Sequence, residues 1–522
     1  MGNKKSWIKY NGETYSVNDG ERALDAMIRR GAPVSFSCRK GTCRSCMLQA
    51  TSGNPGLQAT ERLPSEYVEH GFFLPCCATD VSEVEAVAPD LSLCSRQAMV
   101  AEKSWLSDEI ILLRLDLIAE MPWLPGQAIS LLNDNDEMRS YSLAGDPDNP
   151  FQIELHIRIY KDGAVSSWIA NDLNVGDMVR FQGPVGNFCY RDELKDTPLV
   201  LIGTGTGGGA LMGIIRDAIA RGHNAPISFY HGAKNQSGLY LGHEIAKLNP
   251  DRVRVVQAAS REEVAELRPV RVTDIAFADH PDLTQAAVFL CGGPEMIEVA
   301  RVQSLRQGAR LDYIYSDPFE PNTPYMPDES AKFNTIQPEP ELWAALGNGN
   351  KLTEILTEFY TIAYDDQRLA PFFQRTTKQR AIDKQYSFLQ DLFSGTKSYF
   401  GEKPFNAHHW MVISDELFDH REKLLIGVAR KHGIPEKLLH RWSAVHEVFR
   451  REIVKNAPRG ILRQGVEHDL EGYSYETTDV GTVCDGCISE INEGEKVRMH
   501  RRTGQIFCLH CDGKTLQDVS VA

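Results

Sequence analysis

Eight cysteines stand at spacings that suit metal binding, and the first four could carry electrons. They follow a C-x4-C-x2-C pattern with a fourth cysteine thirty residues further on, namely Cys38, Cys43, Cys46 and Cys76. Four thiolates at these intervals are typical of a [2Fe–2S] cluster, which transfers one electron at a time. Zinc is the alternative metal, but zinc favours two C-x2-C knuckles and this set contains one. Cys77 is the alternative to Cys76 as the fourth ligand.

The second set of cysteines forms two C-x2-C knuckles separated by twenty residues. It consists of Cys484, Cys487, Cys508 and Cys511. Four thiolates close a tetrahedron around zinc and leave no position for a substrate, so we predict a structural zinc ribbon. A rubredoxin-like iron site is the alternative. A basic strand in the ribbon could contact a protein partner or nucleic acid, or could face solvent. Its residues are Lys496, Arg498, His500, Arg501 and Arg502.

Length and composition bound what surrounds these sites. A chain of 522 residues exceeds what one hydrophobic core supports, so we expect about three to four domains. The net charge of −15 argues against nucleic acid or an anionic membrane as the main partner. We expect no signal peptide and no transmembrane helix. Two metal-type quartets with four cysteines left over predict a reducing, cytoplasmic compartment. The remainder is Cys77, Cys94, Cys189 and Cys291.

Residues 1–92 surround the first cysteine set and predict a small α+β domain. A hairpin is expected over Ser6–Val17, a helix over Glu21–Arg30 and a closing strand over Glu83–Val87. With the cysteine spacing, this segment resembles plant-type ferredoxin domains, which implies a β-grasp fold. Arg44 stands where that family usually has glycine, and it could tune the cluster, dock a partner or sit in solvent.

Residues 93–193 are rich in strands and contain an Arg-x-Tyr-Ser motif and a Gly-x-x-Ser motif. In this order they resemble the ferredoxin–NADP reductase superfamily, which implies an antiparallel β-barrel that binds FAD. The motif arginine would neutralise the pyrophosphate, the tyrosine would pack on the isoalloxazine and its serine would approach flavin N5. The Gly-x-x-Ser helix start would also bind pyrophosphate. The residues implied are Arg139, Tyr141, Ser142, Gly163 and Ser166.

Residues 194–319 alternate between strands and helices, which predicts an α/β Rossmann-like domain. The buried strand Leu199–Ile202 leads into a glycine loop and a helix from about Ala210, a cradle for pyrophosphate. A Cys-Gly-x-Pro strand end and a closing aromatic residue extend the same family resemblance and imply NAD(P)H binding. The implied residues are Gly203, Gly205, Gly207, Cys291, Gly292, Pro294 and Phe319. Ser260–Glu262 could bind the 2′-phosphate of NADPH or begin a helix. The sequence therefore does not decide between NADH and NADPH as the electron donor.

Residues 320–340 are proline-rich and predict a linker, and residues 341–457 predict an all-α domain. The order of aromatic, glutamine and histidine landmarks resembles truncated haemoglobins, which implies haem b. By this resemblance, Tyr360 and Gln385 would donate hydrogen bonds to bound oxygen. Phe373 would pack against the porphyrin, and His408 would ligate the iron. His409 is the alternative ligand, and a haem-free helical domain is the alternative fold. Arg421 falls near the place of a tryptophan found in two of the family's three groups.

The remaining ranges are a linker over 458–473 and the ribbon over 474–522. In series, the parts predict that NAD(P)H reduces FAD, the [2Fe–2S] cluster takes single electrons, and the globin haem accepts them. This logic is similar to that of flavohaemoglobins and predicts a nitric oxide dioxygenase that uses O2 and NO. Two alternatives are a reductase component that feeds a separate oxygenase, and a gas or redox sensor that docks a partner through the ribbon.

Overall fold

A computed structural model describes most of the chain. It covers residues 6–17, 21–30, 32–34, 41, 44–90, 93–146, 148–264, 269–319, 332, 336–373, 376–396, 399, 401–409, 411–455, 459–463, 466–468, 473–478, 481–487, 489–500 and 505–510. The chain divides into two compact units, Met1–Pro324 and Tyr325–Ala522, which are described separately. Most of the linker predicted over 320–340 lies outside the described residues.

The first unit contains three sheets. Their strands are β1 (Trp7–Tyr10), β2 (Glu13–Ser16), β3 (Leu48–Asn54), β4 (Phe72–Phe73), β5 (Ser82–Val87), β6 (Arg96–Ser107), β7 (Ile110–Leu117), β8 (Ala128–Leu132), β9 (Met138–Ser142), β10 (Gln152–Arg158), β11 (Met178–Val185), β12 (Leu199–Thr204), β13 (Ile227–Ala233), β14 (Val253–Ala259), β15 (Ala287–Gly292) and β16 (Ile314–Pro318). Its helices are α1 (Ala23–Arg29), α2 (Ser65–Glu69), α3 (Ala164–Asn171), α4 (Gly207–Ala220), α5 (Gly242–Ile245), α6 (Val272–Asp279) and α7 (Pro294–Arg306).

The N-terminal sheet has the order β2-β1-β5-β3-β4, with β1 parallel to β5 and antiparallel to β2. Ile8 and Tyr10 of β1 point inward and pack with Ala23 and Met27 of α1, because alternate residues of a strand share one face. One helix packed on a mixed sheet is the arrangement expected for the β-grasp fold. The predicted hairpin, helix and closing strand are all present, and the helix is shorter than predicted at both ends.

The second sheet is antiparallel, with the order β10-β7-β6-β11-β8-β9. Its core is aliphatic and includes Ile111, Leu113 and Leu115 of β7, which face Leu155 and Ile157 of β10. The sheet places β9, which carries the Arg-x-Tyr-Ser motif, at one edge. The residues that follow β9 pair with β10 at the other edge, through the Leu143–Leu155 bridge and a hydrogen bond from the N–H of Ala144 to the carbonyl of Glu154, so the sheet closes into a barrel.

The third sheet is parallel, with the order β14-β13-β12-β15-β16. The central strands β12 and β15 are almost entirely apolar because helices cover the sheet, as in other α/β domains. Helix α4 begins at Gly207 rather than near Ala210, so the last three glycines of the predicted loop form its first turn. Ser260–Glu262 does not begin a helix, and the next described helix starts at Val272.

The second unit is built from seven helices within its described residues, followed by short strands. The helices are α8 (Pro340–Ala345), α9 (Asn350–Asp365), α10 (Lys378–Ser394), α11 (Pro404–Ala407), α12 (Asp415–Lys431), α13 (Glu436–Glu447) and α14 (Arg450–Ile453). Leu352, Ile355 and Phe359 line the buried face of α9 at helical spacing. They pack around Trp442, which is fully buried in the core of the helical domain.

The strands of the second unit follow the helices. They are β17 (Ile461–Arg463), β18 (Val466–His468), β19 (Tyr473–Thr477), β20 (Thr482–Val483), β21 (Glu490–Ile491), β22 (Lys496–His500) and β23 (Ile506–Cys508). Strands β17 and β18 pair as a hairpin, so the stretch predicted as a linker over 458–473 contains regular structure. The last five strands form two small antiparallel sheets around the C-terminal cysteines. Among the described residues, no helix combines the length and apolarity needed to cross a membrane.

Helix α10 ends where the sequence places a glycine, and this residue offers a test of the helical domain. Gly395 has φ +76, and a Cβ there would lie 3.0 Å from Cγ of Pro338. We expect Gly395→Ala to lower the free energy of unfolding of this domain by about 1–2 kcal/mol, because a side chain is strained in the left-handed region.

Gly427→Ala is the matched control, because Gly427 lies inside α12 and a Cβ there would meet open space. Alanine should stabilise that helix by about 0.5–1 kcal/mol. Urea denaturation of the full chain, followed by the haem absorbance, measures both variants. Equal shifts of the same sign would contradict the assignment of Gly395 as a helix cap.

Candidate electron-transfer and haem sites

The described cysteines of the first set lie beside the strand that carries the predicted flavin motif. Cys46 and Cys76 are 4% and 1% exposed, and both belong to an apolar cluster that includes Met138. Met138 begins β9 and directly precedes Arg139. The structure therefore brings the iron–sulfur loop and the Arg-x-Tyr-Ser strand into one packed region. Cys38 and Cys43 lie outside the described residues.

Two further residues shape the cluster loop. Gly41 has φ +75, and a Cβ there would lie 2.7 Å from Sγ of Cys77, so glycine allows the loop its close approach. Sγ of Cys77 is 3.7 Å from Sγ of Cys76, and the choice between them as ligand stays a prediction. Arg44 has φ +58, a conformation that favours glycine, and its guanidinium lies 5.2 Å from the centroid of the Tyr67 ring.

The flavin motif meets the closing segment of the α/β domain. The hydroxyl of Ser142 donates to Oδ2 of Asp317 on β16 at 2.9 Å. Phe319 follows that strand, and its N–H donates to the carbonyl of Gly292 at 2.8 Å. Tyr141 packs against the barrel core, and burial raises the pKa of its hydroxyl. The motif serine, the Cys-Gly strand end and the closing aromatic residue therefore meet at one edge of the parallel sheet.

Gly163 and Ser166, the residues of the predicted phosphate cradle, lie at the start of α3. Gly163 precedes the helix, and a Cβ there would lie 2.4 Å from Oγ of Ser166. Ser166 is buried, and its hydroxyl accepts from the N–H of Tyr160 at 3.2 Å. The serine thus fixes the turn before the helix, and the helix N–H groups rather than the hydroxyl are left to meet an anion.

The glycines of the second cradle are required by close backbone contacts. A Cβ on Gly203 would lie 3.1 Å from the backbone nitrogen of Gly208, and one on Gly207 would lie 2.4 Å from the carbonyl oxygen of Cys291. Gly205 has φ +56, and Gly292 has φ +137. Glycine at these positions lets the first turn of α4 rest on the ends of β12 and β15, where a dinucleotide pyrophosphate can reach its N–H groups.

The Cys-Gly-x-Pro strand end continues directly into α7. Pro294 is the first residue of that helix, a position where a missing N–H costs nothing. Cys291 is fully buried in β15, and burial raises the pKa of its thiol well above the usual range. The thiol is therefore protonated at neutral pH and packs as a small apolar group.

A buried polar network joins the barrel to the glycine loop. Arg114 Nε donates to Oε2 of Glu154 at 2.8 Å, and Nε2 of His156 contacts Oε1 of Glu154 at 3.2 Å. Nδ1 of His156 lies 2.9 Å from the hydroxyl of Tyr240. Burial raises the pKa of Glu154, but His156 and Arg114 outweigh it and lower that pKa to about 2. The carboxylate is therefore ionised at neutral pH and anchors both partners.

A cavity of about 310 Å³ lies inside the helical domain, and we call it the haem cavity. It is lined by Tyr360, Phe373, Gln385 and both histidines of the predicted ligand pair, His408 and His409. The rings of Tyr360 and Phe373 meet edge to face, with centroids 5.7 Å apart. The four residues that the sequence assigned to haem therefore surround one mostly apolar space, which fits a porphyrin.

The two histidines differ in their surroundings. Nδ1 of His408 donates to the carbonyl of Pro404 at 2.8 Å, so the lone pair of Nε2 is available to a metal. Burial, with the nearby Lys455, lowers the pKa of His408 to about 4 and keeps the imidazole neutral. His408 is half-buried, whereas His409 is 2% exposed and its Nδ1 contacts the carbonyl of Asn406. Because both rings place Nδ1 against a backbone carbonyl, the choice of His408 over His409 as the iron ligand stays a prediction.

The segment after the globin helices holds the histidine pair in place. Lys455 donates to the carbonyl of His408, and the N–H of Arg459 donates to that of His409 at 2.7 Å. The side-chain amide of Asn406 exchanges two hydrogen bonds with the backbone of Leu462 on β17. The stretch predicted as a linker is thus part of the haem site.

The C-terminal cysteines converge as a metal site would require. Sγ atoms of Cys484, Cys487 and Cys508 lie within 4.8 Å of one another, and those of Cys487 and Cys508 are 3.6 Å apart. A tetrahedral site with Zn–S bonds of about 2.3 Å places its sulfurs about 3.8 Å apart. Cys484 Sγ also accepts from the N–H groups of Gly486 and Cys508. Cys511 lies outside the described residues.

The C-terminal segment predicted to be a zinc ribbon forms part of the wall of the haem cavity. Arg380 of α10 donates to Oδ1 of Asp485 at 2.7 Å and to the carbonyl of Val483 at 3.2 Å. Asp485 sits between the first two ribbon cysteines and lines the cavity together with Met499 and Gln505. Of the predicted basic strand, Lys496 is exposed, Arg498 covers the Tyr473 ring and His500 is buried, while Arg501 and Arg502 lie outside the described residues.

Comparison with known proteins assigns each of the larger domains to a family. Residues 8–79 match 2Fe-2S iron-sulfur cluster binding domains, 97–190 match oxidoreductase FAD-binding domains and 201–302 match oxidoreductase NAD-binding domains. Residues 341–436 match bacterial-like globins. The predicted ferredoxin, FAD, NAD and globin domains are confirmed, whereas the zinc ribbon stays a prediction.

Whole proteins align with the first unit. The reductase subunit of an aromatic O-demethylase from Amycolatopsis sp. is 31% identical over 329 residues, which cover 60% of this chain and 98% of that protein. The chain belongs to this family of reductases. The reductase component of phenol 2-monooxygenase from Pseudomonas sp. is 31% identical over 319 residues, covering 58% of this chain and 90% of that protein. The solved Amycolatopsis cytochrome P450 reductase has a TM-score of 0.45 and 28% identity, covering 61% of this chain and 100% of that one.

The reductase is therefore an NAD(P)H-dependent flavin and iron–sulfur oxidoreductase that uses FAD, a [2Fe–2S] cluster and, in its globin domain, haem.

Sequence reasoning missed two residues that shape the nucleotide cradle. Arg158 ends β10, and a Cβ on Gly205 would lie 3.7 Å from its Nη1, so its guanidinium borders the loop. His231 is fully buried, and its Nε2 donates to the carbonyl of Gly205 at 3.2 Å. Burial lowers the pKa of His231 to about 4, so it is neutral. The position of Arg158 at the end of a strand could have indicated its role from the sequence, but nothing in the sequence around His231 indicates one.

The histidine pair gives a direct test of the haem ligand. We expect His408→Ala in the reductase to change the haem absorption spectrum and to speed haem loss to apomyoglobin, because the axial imidazole is removed. His409→Ala is the matched control and should leave both measurements close to wild type. If the His409 variant alone changes the spectrum, the iron ligand is His409.

Proposed function

We propose that the reductase passes electrons from NAD(P)H through FAD and the [2Fe–2S] cluster to its own globin haem, and that the haem domain oxidises nitric oxide to nitrate. One observation carries this proposal. The chain that carries the family's reductase domains also carries a cavity with a neutral histidine and two hydrogen-bond donors, Tyr360 and Gln385. Tethering donor and acceptor in one chain raises their effective concentration to roughly millimolar.

The residues of the first unit support a hydride-to-electron conversion. The cradle formed by Gly203, Gly205 and Gly207 would hold the dinucleotide, and the strand end at Cys291–Pro294 would bring nicotinamide toward the flavin edge near Ser142. Bound FAD accepts a hydride, which is two electrons, and releases them singly. Cys46 and Cys76 lie in the same packed cluster as Met138 of the flavin strand, which supports a short path from flavin to cluster.

The residues of the haem cavity support the chemistry proposed for the second unit. His408 would hold the iron through Nε2, and Phe373 would pack against the porphyrin. Burial raises the pKa of Tyr360 to about 12, so its hydroxyl stays a donor at neutral pH. A bound haem supplies dioxygen activation and is left oxidised by one electron for each nitric oxide consumed. The overall balance is 2 NO + 2 O2 + NAD(P)H → 2 NO3− + NAD(P)+ + H+.

A second function is favoured by the relatives. Several are reductase components, such as those of the phenol 2-monooxygenase and naphthalene 1,2-dioxygenase systems. By likeness to them, the reductase would deliver electrons from its cluster to a separate oxygenase, and the globin domain would be an appended module. The two functions differ in whether the haem is reduced within the purified chain.

We also propose that Cys484, Cys487, Cys508 and Cys511 hold one structural zinc ion. The sulfur spacing and the N–H bonds to Cys484 support this set. Because Asp485 links the first knuckle to Arg380, the ion would also secure the wall of the haem cavity.

Anaerobic reduction tests the electron route. NADH or NADPH added to the purified protein should convert its haem to the ferrous form within seconds, and absorbance follows flavin, cluster and haem separately. In Cys46→Ser the flavin should still be reduced, but haem reduction should slow at least about tenfold because the cluster relay is lost. Cys77→Ser is the control and should behave as wild type.

Each other outcome of this experiment has a definite meaning. A wild-type haem that stays ferric while flavin and cluster are reduced supports the external oxygenase. Haem reduction at the wild-type rate in Cys46→Ser means that flavin reduces haem directly. A ferrous protein that consumes no nitric oxide in air contradicts the dioxygenase and supports a sensor.

Metal removal tests the ribbon. Cys484→Ser should lose about one equivalent of zinc by elemental analysis, and its ferrous haem should bind carbon monoxide faster, because the cavity wall is loosened. Cys189→Ser is the control, since Cys189 belongs to neither cysteine set. A variant that retains zinc would contradict the ligand set, and an unchanged carbon monoxide rate would contradict the link to the cavity.

A further inference from the structure

The haem cavity contains a cation that the proposed reaction has not used. Arg421 lies on α12 and lines the cavity together with Tyr360 and Gln385. Its side chain is 23% exposed, and its guanidinium lies 5.2 Å from the centroid of the Phe359 ring. Arginine is always charged in proteins, so the guanidinium brings a fixed positive charge to this wall, beside the carboxylate of Glu422, which also lines the cavity.

Buried groups on two helices hold Arg421 in place. It forms an ion pair with Glu422, whose two carboxylate oxygens each lie 3.0 Å from Nδ1 of His446. Nε1 of Trp442 donates to Nε2 of His446 at 3.2 Å, so Nδ1 carries the imidazole proton and donates to Glu422. The guanidinium therefore keeps one position, and little reorganisation is needed when a ligand arrives.

Arg421 also sets the orientation of Gln385. One terminal nitrogen of Arg421 donates to Oε1 of Gln385 at 3.3 Å, which occupies the acceptor end of that amide. The donor end, Nε2, is then available to a ligand in the cavity. Within the described part of the chain, the hydrogen bonds that Arg421 donates to Glu422 and Gln385 use its two terminal nitrogens, and Nε–H is left as a further donor.

We propose that Arg421 makes the haem cavity selective for small anions, by presenting its charge and by orienting Gln385 as a donor. The inference rests on haem binding in the proposed function, and it does not depend on the route of the electrons. Its ligand class is small anions such as azide, fluoride and nitrite. Nitrate, the product of nitric oxide oxidation, belongs to the same class, so the guanidinium would also stabilise charge that develops during that reaction.

The test compares anionic and neutral ligands of the haem-loaded full chain. Azide and fluoride are titrated into the ferric protein, and carbon monoxide into the ferrous protein. In the double variant R421M/E422Q, which keeps the buried pair neutral, azide and fluoride affinities should fall about 10- to 100-fold, because a charge-assisted hydrogen bond is lost. Carbon monoxide is neutral and does not depend on that charge-assisted hydrogen bond, so its affinity should change less than about threefold.

Two further variants separate charge from packing. E422Q removes the negative charge beside Arg421 and should strengthen azide binding. R421K retains the positive charge and should keep most of the wild-type azide affinity. The C–O stretching frequency of the ferrous carbon monoxide complex should rise in R421M/E422Q, since a nearby positive charge weakens that bond. K423M is the matched control, because Lys423 lies on the same helix but is exposed, and its affinities should stay at wild-type values.

Two results would overturn the proposal. One is a parallel loss of azide and carbon monoxide affinity in R421M/E422Q, which would show a packing defect. The other is unchanged azide affinity in both R421M/E422Q and E422Q. None of these titrations uses NAD(P)H, so they give an answer whether or not the haem is reduced within the chain.

Discussion

Each unit of the reductase places an ionised carboxylate inside the protein beside its site, and the site geometry depends on how that charge is balanced. Glu154 is held by Arg114 and His156, and Glu422 by His446 and Arg421. Burial alone would raise both pKa values, yet the partners lower each to about 2. A buried carboxylate with two partners is costly to disturb, because removing one partner leaves a charge uncompensated. Each buried carboxylate therefore holds its partner side chains in position, and the partners hold the carboxylate.

The consequences differ between the two sites. In the first unit, the network runs from the barrel through His156 to Tyr240, beside the first turn of α4. It thereby ties the flavin domain to the nucleotide cradle, which must keep a fixed separation for hydride transfer. In the second unit, the balanced pair places a guanidinium against the haem cavity. A positive charge there changes which ligands the cavity prefers and leaves the apolar packing around Phe373 unchanged.

The second unit also shows how segments outside the helical domain complete its site. The stretch after α14 contacts the backbone of both histidines, and the ribbon contributes Asp485 and Met499 to the cavity wall. The helix at this side of the cavity, α11, is only one turn long. The added strands close it through backbone hydrogen bonds and one ion pair, Arg380–Asp485, of which both side chains are largely buried.

Sequence by itself determined the features that depend on residue type and local spacing. The cysteine intervals, the glycine turns and the helical periods indicated an iron–sulfur cluster, a dinucleotide cradle and an all-α domain, because these patterns reflect local geometry. The flavin and globin domains followed from resemblance to known families, and the resemblance to truncated haemoglobins implied Tyr360, Phe373, Gln385 and His408, which the fold does bring around one cavity.

Tertiary structure decided what depends on contacts between distant segments. The roles of Arg421 and His231, and the C-terminal cysteine segment as a cavity wall, have no local signature. Each arises because packing brings together residues far apart in the chain, as Arg380 meets Asp485, and no period or motif encodes such a meeting.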